Sequence, residues 1–275
     1  MPAIAQRIRE RILTTISNAR VGHPGGSMSA VEILTSLYFH VLRVDPERPD
    51  WPERDRFVLS KGHASSALYA TLAERGFFPP ELLSTFGKIN SRLQVHPDMH
   101  KVPGVEISTG ALGQGLSVGV GMALAARADY PEGRGRPGVR IYVLLGDGEC
   151  QEGQVWEAVM AAAHYKLDNL TAIVDYNQVQ LSGPVAEVME VAPLADKWRS
   201  FGWAVEEVPG HDIEALIAGF DKARGIKGRP TVIIARTVKG KGVSFMEGKS
   251  AWHGKPPDEQ ELKLALEEVR RSWKQ

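Results

Sequence analysis

Apolar residues recur along this chain at two spacings, and the alternation between them divides it into elements. Ile4, Ile8, Ile12 and Ile16 come every fourth residue. That spacing drifts only slowly around one face and predicts an amphipathic helix over residues 3–19. Residues 29–41 carry a second helical pattern, with Ser27 or Ser29 as its N-cap. Short, strand-length runs then stand at 56–59, 141–145, 170–174, 204–208 and 231–235. Helical stretches lie between them at 64–74, 114–128, 154–166 and 212–223, the last with Asp212 as N-cap or first-turn acid. The stretch 154–166 is Ala-rich and nearly apolar all round, as a buried helix would be. A charged amphipathic helix over 258–273 closes the chain. Strands alternating with helices need crossover connections, so the pattern predicts an α/β fold: a mostly parallel sheet with helices on both faces.

Three stretches break the rhythm. Residues 44–55 are rich in Pro and charge and read as a surface connection, and 130–138 read as a linking turn. Residues 87–112 show neither period. A structureless loop of that length inside a compact domain is more often functional than idle.

Composition changes this picture little. A chain of 275 residues can build one large α/β domain, and 43% hydrophobic with 24% charged residues is an ordinary globular balance. With 33 basic and 33 acidic side chains there is no net charge to draw nucleic acid or an anionic membrane. Cys150 is the only cysteine, which excludes an internal disulfide framework and fits a reducing compartment. The first eleven residues carry charges where a signal peptide needs an apolar core, and no apolar run reaches membrane-spanning length. A cytoplasmic location is the expectation.

Open parallel sheets bind ligands beyond the carboxyl ends of their strands, so the residues that follow each run matter most. After 141–145 come Gly146, Asp147 and Gly148, and after 170–174 comes Asn177. Glycines on both sides of Asp147 let the backbone turn sharply and approach a bulky anion. A carboxylate, an amide oxygen and a nearby backbone carbonyl are hard oxygen ligands. They are too few to encage a metal, but they suit a Mg²⁺ that completes its octahedron with diphosphate oxygens. Ser60-Lys61-Gly62-His63 follows the run at 56–59, and Lys239-Gly240-Lys241-Gly242 follows the one at 231–235. His23 lies in a Gly- and Pro-rich turn just before a helix start, where backbone N–H groups favour an anion. His96 and His100 lie in the long aperiodic loop, and His253 lies between Trp252 and Gly254. His40, His164 and His211 fall in or beside helical patterns and are assigned to structure.

Gly146-Asp147-Gly148 with Asn177 about thirty residues later resembles the thiamine diphosphate binding motif. The run Gly146-Asp147-Gly148-Glu149-Cys150-Gln151-Glu152-Gly153 is similar to its transketolase version. So are the segment around Gly22-His23-Pro24-Gly25-Gly26, Ser60-Lys61-Gly62-His63, the Gly-rich turn 108–115, and Trp252-His253-Gly254. The resemblance covers essentially the whole chain and implies a thiamine diphosphate-binding fold. It implies thiamine diphosphate as cofactor, with Mg²⁺, or else Ca²⁺ or Mn²⁺, held by Asp147, Asn177 and Val179. Lys61, Gly110, Leu112, Gly146, Asp147, Gly148, Glu152, Asn177 and Lys239 would bind the cofactor. His23, His63, His96 and His253 would handle protons while a two-carbon ketol unit passes from a ketose phosphate to an aldose phosphate.

A full-length transketolase resembles this chain followed by a pyrimidine-binding domain and a C-terminal domain, and residues 1–275 show neither. One diphosphate-binding domain is therefore expected here, as the N-terminal subunit of a split transketolase completed by a C-terminal subunit, two copies of each. The rival readings are the α subunit of a thiamine-dependent 2-oxoacid or acetoin dehydrogenase, and a non-catalytic diphosphate-binding scaffold.

Overall fold

A computed structural model describes residues 1–133 and 137–272. The expected turn over 130–138 falls partly outside the described residues, and so does Trp273 of the expected closing helix.

The chain opens with helix α1, Pro2–Ala19, whose Ile8, Ile12 and Ile16 are fully buried on one face. The single helix expected over 29–41 is instead three pieces: α2, Pro24–Ser29, then α3, Val31–Ser36, then a π-helical turn at Leu37–Val41. Ser29 does not cap a helix, because its hydroxyl is drawn inward to the carboxylate of Asp175 at 2.6 Å. Strand β1, Arg56–Leu59, leads into α4, Ser65–Arg75, which ends on Gly76 in the left-handed conformation. Helix α5, Gln114–Asp129, follows the long loop. Strand β2, Ile141–Gly146, then helix α6, Gly153–His164, and strand β3, Leu170–Tyr176, form the central crossover.

Beyond β3 lies a part that the periodicity does not reveal. A two-residue-per-strand hairpin, β4 at Val179–Gln180 and β5 at Gly183–Pro184, precedes the short helices α7, Val185–Val188, and α8, Leu194–Ser200. Strand β6, Ala204–Pro209, helix α9, Ile213–Gly225, strand β7, Thr231–Arg236, and helix α10, Glu259–Ser272, complete the fold. Asp212 caps α9 as expected, accepting the N–H groups of Glu214 and Ala215 at 2.9 and 3.0 Å.

Among the described residues the main sheet has five strands in the order β1-β2-β3-β7-β6, all parallel. Alternate side chains of each strand enter two separate cores. Phe57, Leu59, Tyr142, Leu144, Ile173 and Ile233 join the layer of α1, α3, α4 and α9. Val58, Val143, Leu145, Ala172, Val174 and Ile234 join the layer of α5, α6 and α8. Both faces are thus covered, and the strand ends are left as the open rim. No helix among the described residues is long and apolar enough to cross a membrane.

Candidate active site

The parallel register brings the ends of β2 and β3 side by side, with Gly146 opposite Asp175. Asp147, the first residue past β2, is 2% exposed. One of its oxygens accepts the Gly148 N–H at 2.8 Å and the other accepts the Gln178 N–H from beyond β3. Burial, then the neighbouring Asp175 charge, pushes the Asp147 carboxyl up to about 6. Asn177 points its amide nitrogen at Asp175 Oδ2, 3.2 Å away, while its Oδ1 accepts the Val179 N–H at 3.1 Å. The Val179 carbonyl already draws a cation, the ammonium of Lys239 at 2.9 Å.

Asp147, Asn177 and Val179 therefore belong to one hydrogen-bonded unit at two adjacent strand tips. The set offers hard oxygens, and its buried carboxylate lacks full counter-charge. That donor set fits a divalent cation whose remaining sites are filled by phosphate oxygens.

Asp175 is the residue that sequence reasoning missed. It is fully buried and accepts from Lys61 Nζ, Ser29 Oγ, Thr237 Oγ1 and Asn177 Nδ2. Burial works against its charge, yet Lys61 together with Ser29 and Thr237 outweighs burial and holds the carboxyl below its ordinary range. One side chain thus joins the residues following β1, β3 and β7 to the end of α2. A carboxylate closing the apolar run Ala172-Ile173-Val174 was the available signal. Lys61 is consequently engaged by Asp175, and its charge acts on His63, Lys239 and His253. It is 2% exposed, and its ammonium bonds Gly26 O at 2.8 Å as well as Asp175.

Glu149 is a second buried carboxylate. It accepts from Ser60 Oγ, from the Gly113 N–H at 2.9 Å and from the Gly146 N–H at 3.0 Å. It fastens the turn before α5 to the ends of β1 and β2.

The four expected imidazoles form a cluster that Lys239 joins to the oxygen set through His253 and the Val179 carbonyl. His23 lies with its ring centre 5.2 Å from His63, 5.5 Å from His253 and 6.3 Å from His96, and His63 lies 5.0 Å from His253. Burial, followed by Lys239, His23 and Lys61, takes His253 down to about 3. Burial also lowers His63, with Lys61 next in effect, and lowers His23, with His96 next. Lowered in this way, the three rings are neutral near pH 7.

Lys239 is pushed down to about 8, by burial and then by Lys61. Its ammonium, a donor only, lies 3.1 Å from His253 Nδ1, so that nitrogen accepts and the His253 proton is on Nε2. Nδ1 of His23 and Oγ1 of Thr109 are buried without hydrogen-bond partners.

Gly110 lies against the His96 ring, where an added Cβ would come within 3.1 Å of it. The His23 and Lys239 loops touch through Gly240 N–H and Gly25 O, 2.9 Å apart. A side chain at residue 25 would meet the Trp252 carbonyl at 2.8 Å, so only glycine allows that approach. Gly146 and Gly148 flank Asp147 as expected. Leu112 and Glu152 stand outside the cluster: Leu112 is exposed in the turn before α5, and Glu152 is exposed at the start of α6. His100 is exposed as well, whereas His211 bonds Glu32 and the Val238 backbone.

Comparison with known proteins gives a consistent result. The family model described as "Transketolase, thiamine diphosphate binding domain" matches residues 2–273. The 6-deoxy-6-sulfo-D-fructose transketolase subunit SqwG of a Clostridium species is 45% identical over 96% of this chain and 94% of its own. An apulose-4-phosphate transketolase subunit of Phocaeicola vulgatus is 45% identical over 96% of this chain and 92% of its own. Among solved structures, transketolase from Leishmania mexicana superposes with a TM-score of 0.92 at 31% identity. It covers 98% of this chain, which spans 41% of the Leishmania one.

Proposed function

This chain belongs to the transketolase family, in its thiamine diphosphate-binding domain, and we propose that it is the N-terminal subunit of a two-component transketolase. A companion polypeptide carrying a pyrimidine-binding domain completes it, with two copies of each subunit. The reaction moves a two-carbon ketol unit from a ketose phosphate to an aldose phosphate. Two of the relatives are themselves named as subunits, and this chain matches them over nearly their whole length. Both facts support the two-chain reading.

Bound thiamine diphosphate supplies the carbanion chemistry that breaks and remakes the carbon–carbon bond. The rest falls to side chains. Asp147, Asn177 and the Val179 carbonyl would hold a Mg²⁺ ion beside the diphosphate, and Lys239 would add a positive charge there. Asp175 accepts from the Asn177 amide nitrogen and so orients the amide, leaving the second lone pair of Oδ1, which already accepts the Val179 N–H, for the ion. His23, His63, His96 and His253 pass protons to and from the sugar hydroxyls. Gly110 and its turn cover the cofactor.

The observation that carries this reading is the cluster of these rings joined to the oxygen set at two adjacent strand tips by Lys239, which bonds both His253 and the Val179 carbonyl. An assay with thiamine diphosphate, Mg²⁺, a ketose phosphate and an aldose phosphate tests it. The purified chain alone should show no ketol transfer, the reconstituted pair should show it, and Asp147→Ala should abolish it. Full turnover by the chain alone, or by the Asp147→Ala complex, would refute it.

A further inference from the structure

The segment that carries Lys239 is gripped from behind at both ends. His211 Nε2 lies 2.8 Å from the Val238 nitrogen. A backbone N–H can only donate, so Nε2 bears no proton and accepts. The ring proton is then on Nδ1, 2.8 Å from Glu32 Oε2, and is donated to that carboxylate. Glu32 receives two parallel bonds from Arg9, at 2.5 and 2.7 Å. Arg9 also donates from Nε to the Lys241 carbonyl at 3.1 Å.

The circuit closes there. Arg9, Glu32 and His211 bridge Val238 to Lys241 with Lys239 between them. Arg9 and Glu32 are both nearly buried, so this is not a solvent-screened surface pair. Burial opposes the charge on Glu32, but Arg9 and His211 more than offset it and hold the carboxyl at about 2. The acceptor for the His211 proton is therefore ionised at neutral pH.

We infer that Arg9, Glu32 and His211 form a positioning clamp for the cofactor. It holds the backbone of 238–241 so that the Lys239 ammonium meets the diphosphate, and His211 in one fixed tautomer is the acceptor on which it turns. The inference rests on the proposed role of Lys239 as a diphosphate contact. It gives His211 a task beyond filling space beside α3. A space-filling ring would not need Nε2 bare, nor a buried ion pair to keep it so.

Isothermal titration of the assembled complex with thiamine diphosphate and Mg²⁺ tests the clamp through binding rather than turnover. His211→Phe keeps the ring and removes the acceptor, and His211→Gln restores an acceptor oxygen near the Nε2 position. His211→Phe should bind the cofactor about tenfold more weakly, the scale of a lost buried acceptor, and His211→Gln should bind within about twofold of wild type on the same reasoning. Lys239→Ala should also bind weakly, and adding His211→Phe to it should cost nothing further, because the clamp acts through Lys239.

Wild-type affinity in His211→Phe beside weak binding in Lys239→Ala overturns the inference alone. So does an undiminished His211→Phe loss in the Lys239→Ala background. Wild-type affinity in Lys239→Ala removes the role of Lys239, and the clamp's purpose with it. Should His211→Phe fail to fold, nitrogen NMR of the wild-type histidines decides: a His211 protonated on Nε2 at neutral pH overturns the assignment.

Discussion

Glu32 and Asp175 show what a buried carboxylate does in this molecule: each holds loops together by staying charged where charge is costly. For Glu32 the cost can be followed with pH. Its carboxyl is held at about 2 in the folded chain, against an ordinary value of 4.5. A group with a depressed folded value stabilises fully above its unfolded value and loses that contribution as pH falls toward the folded one. The difference is worth on the order of 3 kcal/mol. Urea denaturation of wild type and Glu32→Gln should therefore differ most near neutral pH, and the gap should shrink as pH falls from about 4.5 toward about 2. A gap independent of pH would show that Glu32 is not the charged partner of Arg9. Residues of this kind were the least legible in the sequence. Asp147, Asn177 and Lys239 could be read because each directly follows a strand and carries a recognisable chemistry. Arg9, Glu32 and His211 lie far apart in sequence, and nothing local marks them as partners. Asp175 was hidden by its place inside an apolar strand.

Among the elements, α5 separates glycines required by close approach from one that is not. A Cβ at Gly115 would fall 2.7 Å from the Ser60 Cα, and one at Gly119 would fall 2.5 Å from a Val143 methyl. Nothing lies within 4 Å of a Cβ at Gly121. Gly115→Ala should cost about 1–3 kcal/mol by overpacking against β1, and Gly121→Ala should add about 0.5–1 kcal/mol by raising helix propensity. Thermal or chemical denaturation of the isolated chain reads both, and equal effects would mean that α5 does not pack as described. Periodicity predicted this helix and every strand of the main sheet to within a few residues, because each buries a regular face. Over 29–41 it predicted one helix where α3 and a π-helical turn follow the end of α2, with Ala30 rather than Ser27 or Ser29 preceding α3. It was silent for the β4–β5 hairpin, α7 and α8, which are too short to show a period.

Taken whole, the molecule gathers its chemistry on one rim and leaves apolar side chains beside it. Leu181, Val188 and Met189 are exposed around the β4–β5 hairpin. Gln151 ties the hairpin to the motif after β2 through the Met189 carbonyl at 2.6 Å and Gln180 Oε1 at 2.7 Å. A companion chain that completes the site should cover this patch. Met189→Glu is expected to leave the melting temperature of the isolated chain unchanged and to weaken assembly with the companion about tenfold or more, the cost of a charge buried at a packed interface. Sedimentation of the mixed subunits would show it, and unaltered assembly would place the interface elsewhere. The strand order has an effect on the birth of the molecule too. β1 lies at one edge and its one neighbour in the sheet, β2, begins only at Ile141. A ribosome adding roughly 5–20 residues per second releases Phe57, Val58 and Leu59 seconds before the strand that will hold them exists. During that interval the nascent chain carries a sticky, unpaired segment, which makes it a natural client for chaperones that shield such segments until synthesis catches up.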